Sequence, residues 1–137
     1  MDLLARREHS RAELASKLAR KYEEGRDLLP QVLDQLEQDK LLSDARFAEA
    51  YVRYRRNRGF GPLLIGQELR QRGITGALLD ASLDSAAPEW QESLQVLIAR
   101  KSRGVEATLK DLKTRQKLFR FCLSRGYSSD QISILIR

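Results

Sequence analysis

The chain has 137 residues, with 25 Lys and Arg against 19 Asp and Glu for a net charge of +6, the size of one ordinary domain or of a few small repeats sharing a core. No stretch approaches the run of about 18 apolar residues that crosses a bilayer, and the first ten residues lack the apolar segment of a secretory signal, so a soluble, cytoplasmic protein is expected. One cysteine, Cys122, and one histidine, His9, leave an internal disulfide, a histidine-based metal centre and a Ser-His-Asp arrangement without their parts.

Abundant Leu, Ala, Arg, Glu and Gln with few β-branched residues predict an all-α fold. A short helix is expected over residues 2–8, followed by His9 as a surface or helix-end residue. Ser10 and Glu13 form a capping box that opens a helix to about Tyr22, with Leu14 and Leu18 inward. After a loop at residues 23–26, a helix starts at Leu29 or Pro30 and runs to about Asp39, with Val32, Leu33 and Leu36 inward. Ser43 or Asp44 then caps a basic helix over residues 44–57.

That helix and its successor are the centre of the chain. Phe47, Tyr51 and Tyr54 recur at helical spacing on one face, widened by Ala48 and Val52. The tyrosines read as core residues ahead of base-stacking ones. Arg53, Arg55, Arg56 and Arg58 crowd the last turn, where cations complement the helix dipole. Gly59 stops the helix and Gly61-Pro62 starts the next, over residues 62–72, with its stripe at Leu64 or Ile65 and at Leu69. Phe60 between them is either an exposed anchor or a plug between modules.

Gly73 ends that second helix, and a short one is expected over residues 76–83. Pro88 opens a further helix bearing Trp90, Leu94, Leu97 and Ile98, with Arg100, Lys101 and Arg103 at its end. A helix over residues 109–124 carries Leu112, Leu118, Phe119 and Cys122 as apolar positions, and Lys113, Lys117 and Arg120 outward. The thiol reads as a core group. Ser128 and Gln131 form a second capping box for a last helix with Ile132, Leu135 and Ile136 inward.

The pattern repeats. Leu14, Leu18 and Lys21 superpose on Ile65, Leu69 and Arg72 with an offset of 51, and these on Leu118, Cys122 and Arg125 with an offset of 53. A helix-only period near 50 predicts three tandem three-helix repeats, residues 1–42, 43–86 and 87–137, stacked into an elongated, curved array.

No catalytic constellation, phosphate loop, metal site or cofactor motif is found, so the chain reads as a non-enzyme. Charge is uneven: residues 1–50 hold 9 Lys/Arg against 11 Asp/Glu, net −2, and residues 51–137 hold 16 against 8, net +8. A polyanionic or acidic partner is therefore expected at the middle and C-terminal parts. Arg53, Arg55, Arg56, Arg58, Arg70 and Arg72 are the leading candidates for one guanidinium surface, with Arg100, Lys101, Arg103, Lys113, Lys117 and Arg120 as further candidates. Glu49 at i,i+4 from Arg53 answers only one of them.

The segments LLARREHSRAEL (residues 3–14), LLSDARFAEAYVRYRRNRGFGPLLIGQELRQRGI (residues 41–74) and KLFRFCLSRGYSSDQI (residues 117–132) resemble the bacterial RecX family. The most specific part is Asp44-x-Arg46-Phe47-Ala48, followed by the Gly59 to Ile74 run with Gly61-Pro62, Ile65, Glu68-Leu69 and Gly73-Ile74. The resemblance spans essentially the whole chain and implies tandem three-helix repeats. It also implies a regulator that binds in the groove of the RecA filament on single-stranded DNA and inhibits strand exchange, ATP hydrolysis and co-protease function, and so modulates DNA repair and the SOS response. A monomer that meets single-stranded DNA through the filament, and only weakly alone, is expected. The competing readings are a direct DNA-binding helical regulator, since the two central helices imitate a helix-turn-helix, and a helical adaptor for acidic proteins.

Overall fold

A computed structural model of the chain describes residues 7–84, 87–102 and 111–136. These residues form eight α-helices: α1 (Arg11–Lys21), α2 (Leu29–Gln38), α3 (Asp44–Asn57), α4 (Pro62–Gln71), α5 (Gly76–Leu83), α6 (Pro88–Lys101), α7 (Leu112–Ser124) and α8 (Ser129–Leu135), with a 3-10 turn at Arg26–Leu28 before α2. The helix expected over residues 2–8 lies largely outside the described residues.

Both capping boxes form. The Ser10 and Ser128 hydroxyls accept from the amides of Glu13 and Gln131, whose side chains accept from the serine amides in return. Ser43 rather than Asp44 caps α3, its hydroxyl accepting from the Arg46 amide at 3.2 Å. Asp44 is thereby left to accept from the Arg11 amide at 2.8 Å, which satisfies one of the open donors of the first turn of α1.

One closure ends four helices. Amides of Leu41, Phe60, Ile74 and Tyr127 donate back to the carbonyls of Leu36, Arg55, Leu69 and Cys122, five residues earlier. The residue in the bend has positive φ in each case: Lys40 (61°), Gly59 (92°), Gly73 (85°) and Gly126 (100°). This closure brings the residue after the bend onto the last turn, so Ile74 and Tyr127 are buried and Phe60 meets Arg55.

The described residues divide into two units, one within Met1–Tyr51 and Glu68–Ser82, the other within Val52–Gln67 and Leu83–Arg137. In the first, Leu14, Leu33, Leu36 and Leu42 make a core that α1 and α2 share. Removing a side chain as enclosed as Leu14, with no exposed surface, costs about 2–5 kcal/mol. Gly73 lies so close to the first turn of α1 that a Cβ there would come within 2.5 Å of the Ala12 Cβ.

In the second unit α6, α7 and α8 pack on one another, and Val52, Ile65, Trp90, Leu94, Leu97, Leu118, Cys122, Tyr127 and Ile132 are buried. The Trp90 indole N–H donates to the Leu83 carbonyl at 2.6 Å. Gly126 meets the first turn of α4 much as Gly73 meets that of α1: a Cβ on Gly126 would lie 2.5 Å from the Leu64 Cβ. The two glycines are equivalent at the offset of 53 read from the sequence.

Four side chains depart from expectation. His9 is buried, with 1% exposed; its Nδ1–H donates to the Arg7 carbonyl at 3.2 Å and its Nε2 accepts from Lys17 Nζ at 3.1 Å. Val32 and Leu112 lie on apolar stripes yet are exposed, because a helical stripe of three or more residues is wider than the strip its neighbour covers. Tyr54 is exposed as well, and its hydroxyl accepts from Arg58 at 2.7 Å. Of the Leu64 and Ile65 alternatives, Ile65 is the enclosed one.

Candidate anion-binding surface

The second unit gathers cations at three helix C-termini. Arg55, Arg56 and Arg58 come from the end of α3, Arg100 and Lys101 from the end of α6, and Arg125 follows α7. Each of these ends presents outward-facing carbonyl dipoles, which favours positive charge.

The cations are ordered by aromatic rings. The Arg55 guanidinium lies 3.8 Å from the centroid of Phe60, and Arg125 lies 4.9 Å from the same centroid. Arg125 is also 5.0 Å from Phe121, over which Lys101 Nζ sits at 4.7 Å. The result is a series of cation, ring, cation, ring, cation that runs Arg55, Phe60, Arg125, Phe121, Lys101. Each contact stabilises by about 0.5–1 kcal/mol where exposed, and each holds a guanidinium plane or ammonium in a defined place. Phe60 is thus a half-buried platform under two arginines.

Backbone contacts hold this arrangement. The Gly61 and Leu63 amides, open donors at the start of α4, donate to the carbonyls of Arg125 and Gly126 at 2.7 and 2.9 Å. The positive end of α4 therefore meets the negative end of α7 directly. Beneath it Tyr127 is fully buried, and burial pushes its phenol up to about 12, with Cys122 adding to the rise and Arg56 opposing it.

Arg56 turns elsewhere, lying 5.5 Å from the centroid of buried Trp90. With Asn57 and Gly59 it faces Ser93, Val96, Leu97 and Arg100 of α6 across a cleft of about 290 Å³. Arg58 lies 5.3 Å from the Tyr54 ring centroid, and Arg53 is exposed on α3.

Arg70 and Arg72 belong to the first unit. Arg70 is exposed, whereas Arg72 lies 4.8 Å from the Tyr51 centroid, donates to the Glu68 carbonyl at 2.9 Å and pairs with Glu13 at 3.7 Å. Burial would raise the Glu13 carboxyl, but hydrogen bonds from Arg7 and the Ser10 amide outweigh it and hold the group below its ordinary value. Lys113, Lys117 and Arg120 are exposed on α7 at spacings that share a face. Arg103 lies outside the described residues. Sequence reasoning passed over Arg125, although its equivalence to Arg72 at an offset of 53 was a signal that pointed to it.

Among the described residues no group of three or more His, Cys, Asp or Glu could hold a metal ion, and no helix is long and apolar enough to cross a membrane. What the surface can do is hold anions by charge and planar groups by stacking.

The family model for the second three-helix domain of RecX matches residues 43–83, and that for the third matches residues 88–136. The chain is 42% identical over 136 residues to the regulatory protein RecX of Pseudomonas fluorescens strain Pf-5, covering 99% of this chain and 86% of that protein. To the regulatory protein RecX of Ectopseudomonas mendocina it is 42% identical over 137 residues, covering 100% and 89%. The crystal structure of RecX from Lactobacillus salivarius is similar with a TM-score of 0.82 and 25% identity, over 98% of this chain and 88% of that one.

Proposed function

The chain belongs to the RecX family of regulatory proteins, and from that premise we propose that it binds the RecA filament on single-stranded DNA and inhibits the recombinase, its ATP hydrolysis and its co-protease action. It is a regulator and not an enzyme. Similarity to RecX proteins along the whole chain supports the choice of partner. The observation that carries the contact surface is the pair of guanidiniums, Arg55 and Arg125, over Phe60: charge from separate helices is concentrated on one side of one unit, where it meets a polyanion.

Arg53, Arg55, Arg56, Arg58, Arg100, Lys101 and Arg125 make the primary contact in this reading. Arg70, Lys113, Lys117, Arg120 and Arg103 extend it, and Arg72 serves mainly to tie α4 to Glu13. The three repeats, residues 1–42, 43–86 and 87–137, act as modules of a monomer that works in the cytoplasm, where several weak contacts to adjacent filament subunits and to the bound strand add up. The spans of the two matching family models support this division.

A helix-turn-helix role for α3 and α4 is disfavoured. The N-terminal turn of a recognition helix must be open to base edges, whereas here Gly61 and Pro62 are buried and the Gly61 and Leu63 amides are taken by the Arg125 and Gly126 carbonyls that follow α7.

RecA-catalysed ATP hydrolysis on single-stranded DNA tests the proposal. Turnover falls when this protein is added at substoichiometric amounts; unchanged turnover at equimolar protein would remove the RecA assignment.

A further inference from the structure

The cleft between the end of α3 and α6 is built for more than diffuse attraction. Arg56 and Arg100, from separate helices, line one concavity together with Asn57 and Ser93, residues whose side chains carry neutral donors. Like charges in one concavity repel unless an anion lies between them. The remaining wall is apolar, formed by Leu97 and half-exposed Val96. Gly59 at φ 92° keeps the backbone against α6: a Cβ there would lie 3.1 Å from Leu97 Cδ1.

We infer that this cleft holds one nucleotide unit of single-stranded DNA, with the phosphodiester between Arg56 and Arg100 and the sugar against Val96 and Leu97. The inference deepens the proposed function and rests on it for the biological source of the strand. Its volume of about 290 Å³ is close to the lower end of the roughly 300–1,000 Å³ that small ligands fill, which suits a sugar-phosphate unit. Both non-bridging oxygens accept from a guanidinium fork, and the neutral donors serve the ester oxygens.

An acidic peptide could also pair with the two arginines. The neighbours decide against it. Arg55, Phe60 and Lys101 each adjoin a cleft residue in sequence, and they form the series of rings and cations described above. Guanidinium planes are stacking surfaces for bases, so a strand seated in the cleft continues onto a platform that carboxylate side chains do not use.

The test uses the full chain without RecA and a fluorescein-labelled oligothymidylate, with anisotropy followed across a salt series. Arg100→Gln should flatten the slope of log affinity against log salt by about 0.7, the value for one phosphate contact to a single strand, and weaken binding roughly fivefold at low salt. Val96→Trp fills the cleft without changing charge and should weaken binding by a similar factor while leaving thermal stability near wild type. An unchanged slope in Arg100→Gln overturns the assignment, as does wild-type affinity in Val96→Trp, which would make the charge effect diffuse. Tighter binding of labelled poly-glutamate than of the oligonucleotide at equal salt overturns it in favour of a protein partner. RecA ATP hydrolysis is measured beside these titrations: inhibition that survives with an unaltered slope sinks the cleft and spares the RecA reading, and absent inhibition by the wild-type chain does the reverse.

Discussion

The Gly61 amide donates to the Arg125 carbonyl across 2.7 Å, so that the start of α4 and the end of α7 complete each other's hydrogen bonding. The approach leaves no room for a side chain. A Cβ on Gly61 would lie 2.6 Å from the carbonyl carbon and oxygen of Gly126 and 2.7 Å from the Tyr127 amide nitrogen, all backbone. Gly61→Ala is therefore expected to destabilise by about 2–3 kcal/mol and lower Tm by roughly 10 °C. Gly66→Ala meets only the mobile Leu83 Cδ1 at 2.8 Å and gains helix propensity, so its cost stays below about 1 kcal/mol. Equal melting temperatures for the two variants would contradict this account.

Lys40 occupies the left-handed region at φ 61° while the same closure elsewhere uses glycine. Lys40→Gly should raise stability by about 0.5–1 kcal/mol, measured by urea unfolding. Lys40→Val, with a branched Cβ in that region, should lower it.

His9 titrates in the direction that destabilises the fold in acid. Burial, then the charges of Arg7 and Lys17, hold its pKa below the ordinary 6.5 against the opposing pull of the Arg7 carbonyl and Glu13, and the hydrogen bond that Nε2 accepts from Lys17 requires the neutral ring. The unfolded chain takes up the proton near pH 6.5 and the folded chain only lower, so stability declines as pH drops through that window and levels off below the folded value. Because His9 is the only histidine, His9→Gln should abolish the decline between about pH 7.5 and 5.5. A urea midpoint independent of pH in the wild-type chain would show that the ring is not held neutral.

Cys122 is fully buried, and burial pushes its thiol up to about 11. Reaction with a disulfide reagent at pH 8 should run at least about a hundredfold slower in native protein than in urea. Fast native labelling would place the α7 thiol at the surface.

Arg125→Gln removes the guanidinium shared by Phe60 and Phe121. We expect the concentration for half-inhibition of RecA ATP hydrolysis to rise about tenfold, or 1.4 kcal/mol, at a stability cost of about 0.5–1 kcal/mol. Arg125→Lys, which keeps charge and loses the planar fork, should fall between. A Gln variant that inhibits as well as wild type would take Arg125 out of the interface.

Much of the architecture could be read directly. The bounds of α3 and α5 and both capping boxes agree with the periodicity and the Ser-x-x-Glu and Ser-x-x-Gln spacings. The stack of Arg55 on Phe60 was also implicit, because a glycine stop after Arg55 folds the next residue back onto that turn. What was not readable was how the arginine run divides. One helix face cannot hold Arg53, Arg55 and Arg56 together, and only Trp90 and the cleft shared with Arg100 show where Arg56 goes.

The chain's own order of residues determined the helices, their caps and their stops, because those hydrogen bonds close within about five residues. Tertiary structure alone decided that His9 is enclosed, that Val32 and Leu112 are not, and that Arg125 reaches Phe60, since burial and stacking depend on groups far along the chain that only packing brings near.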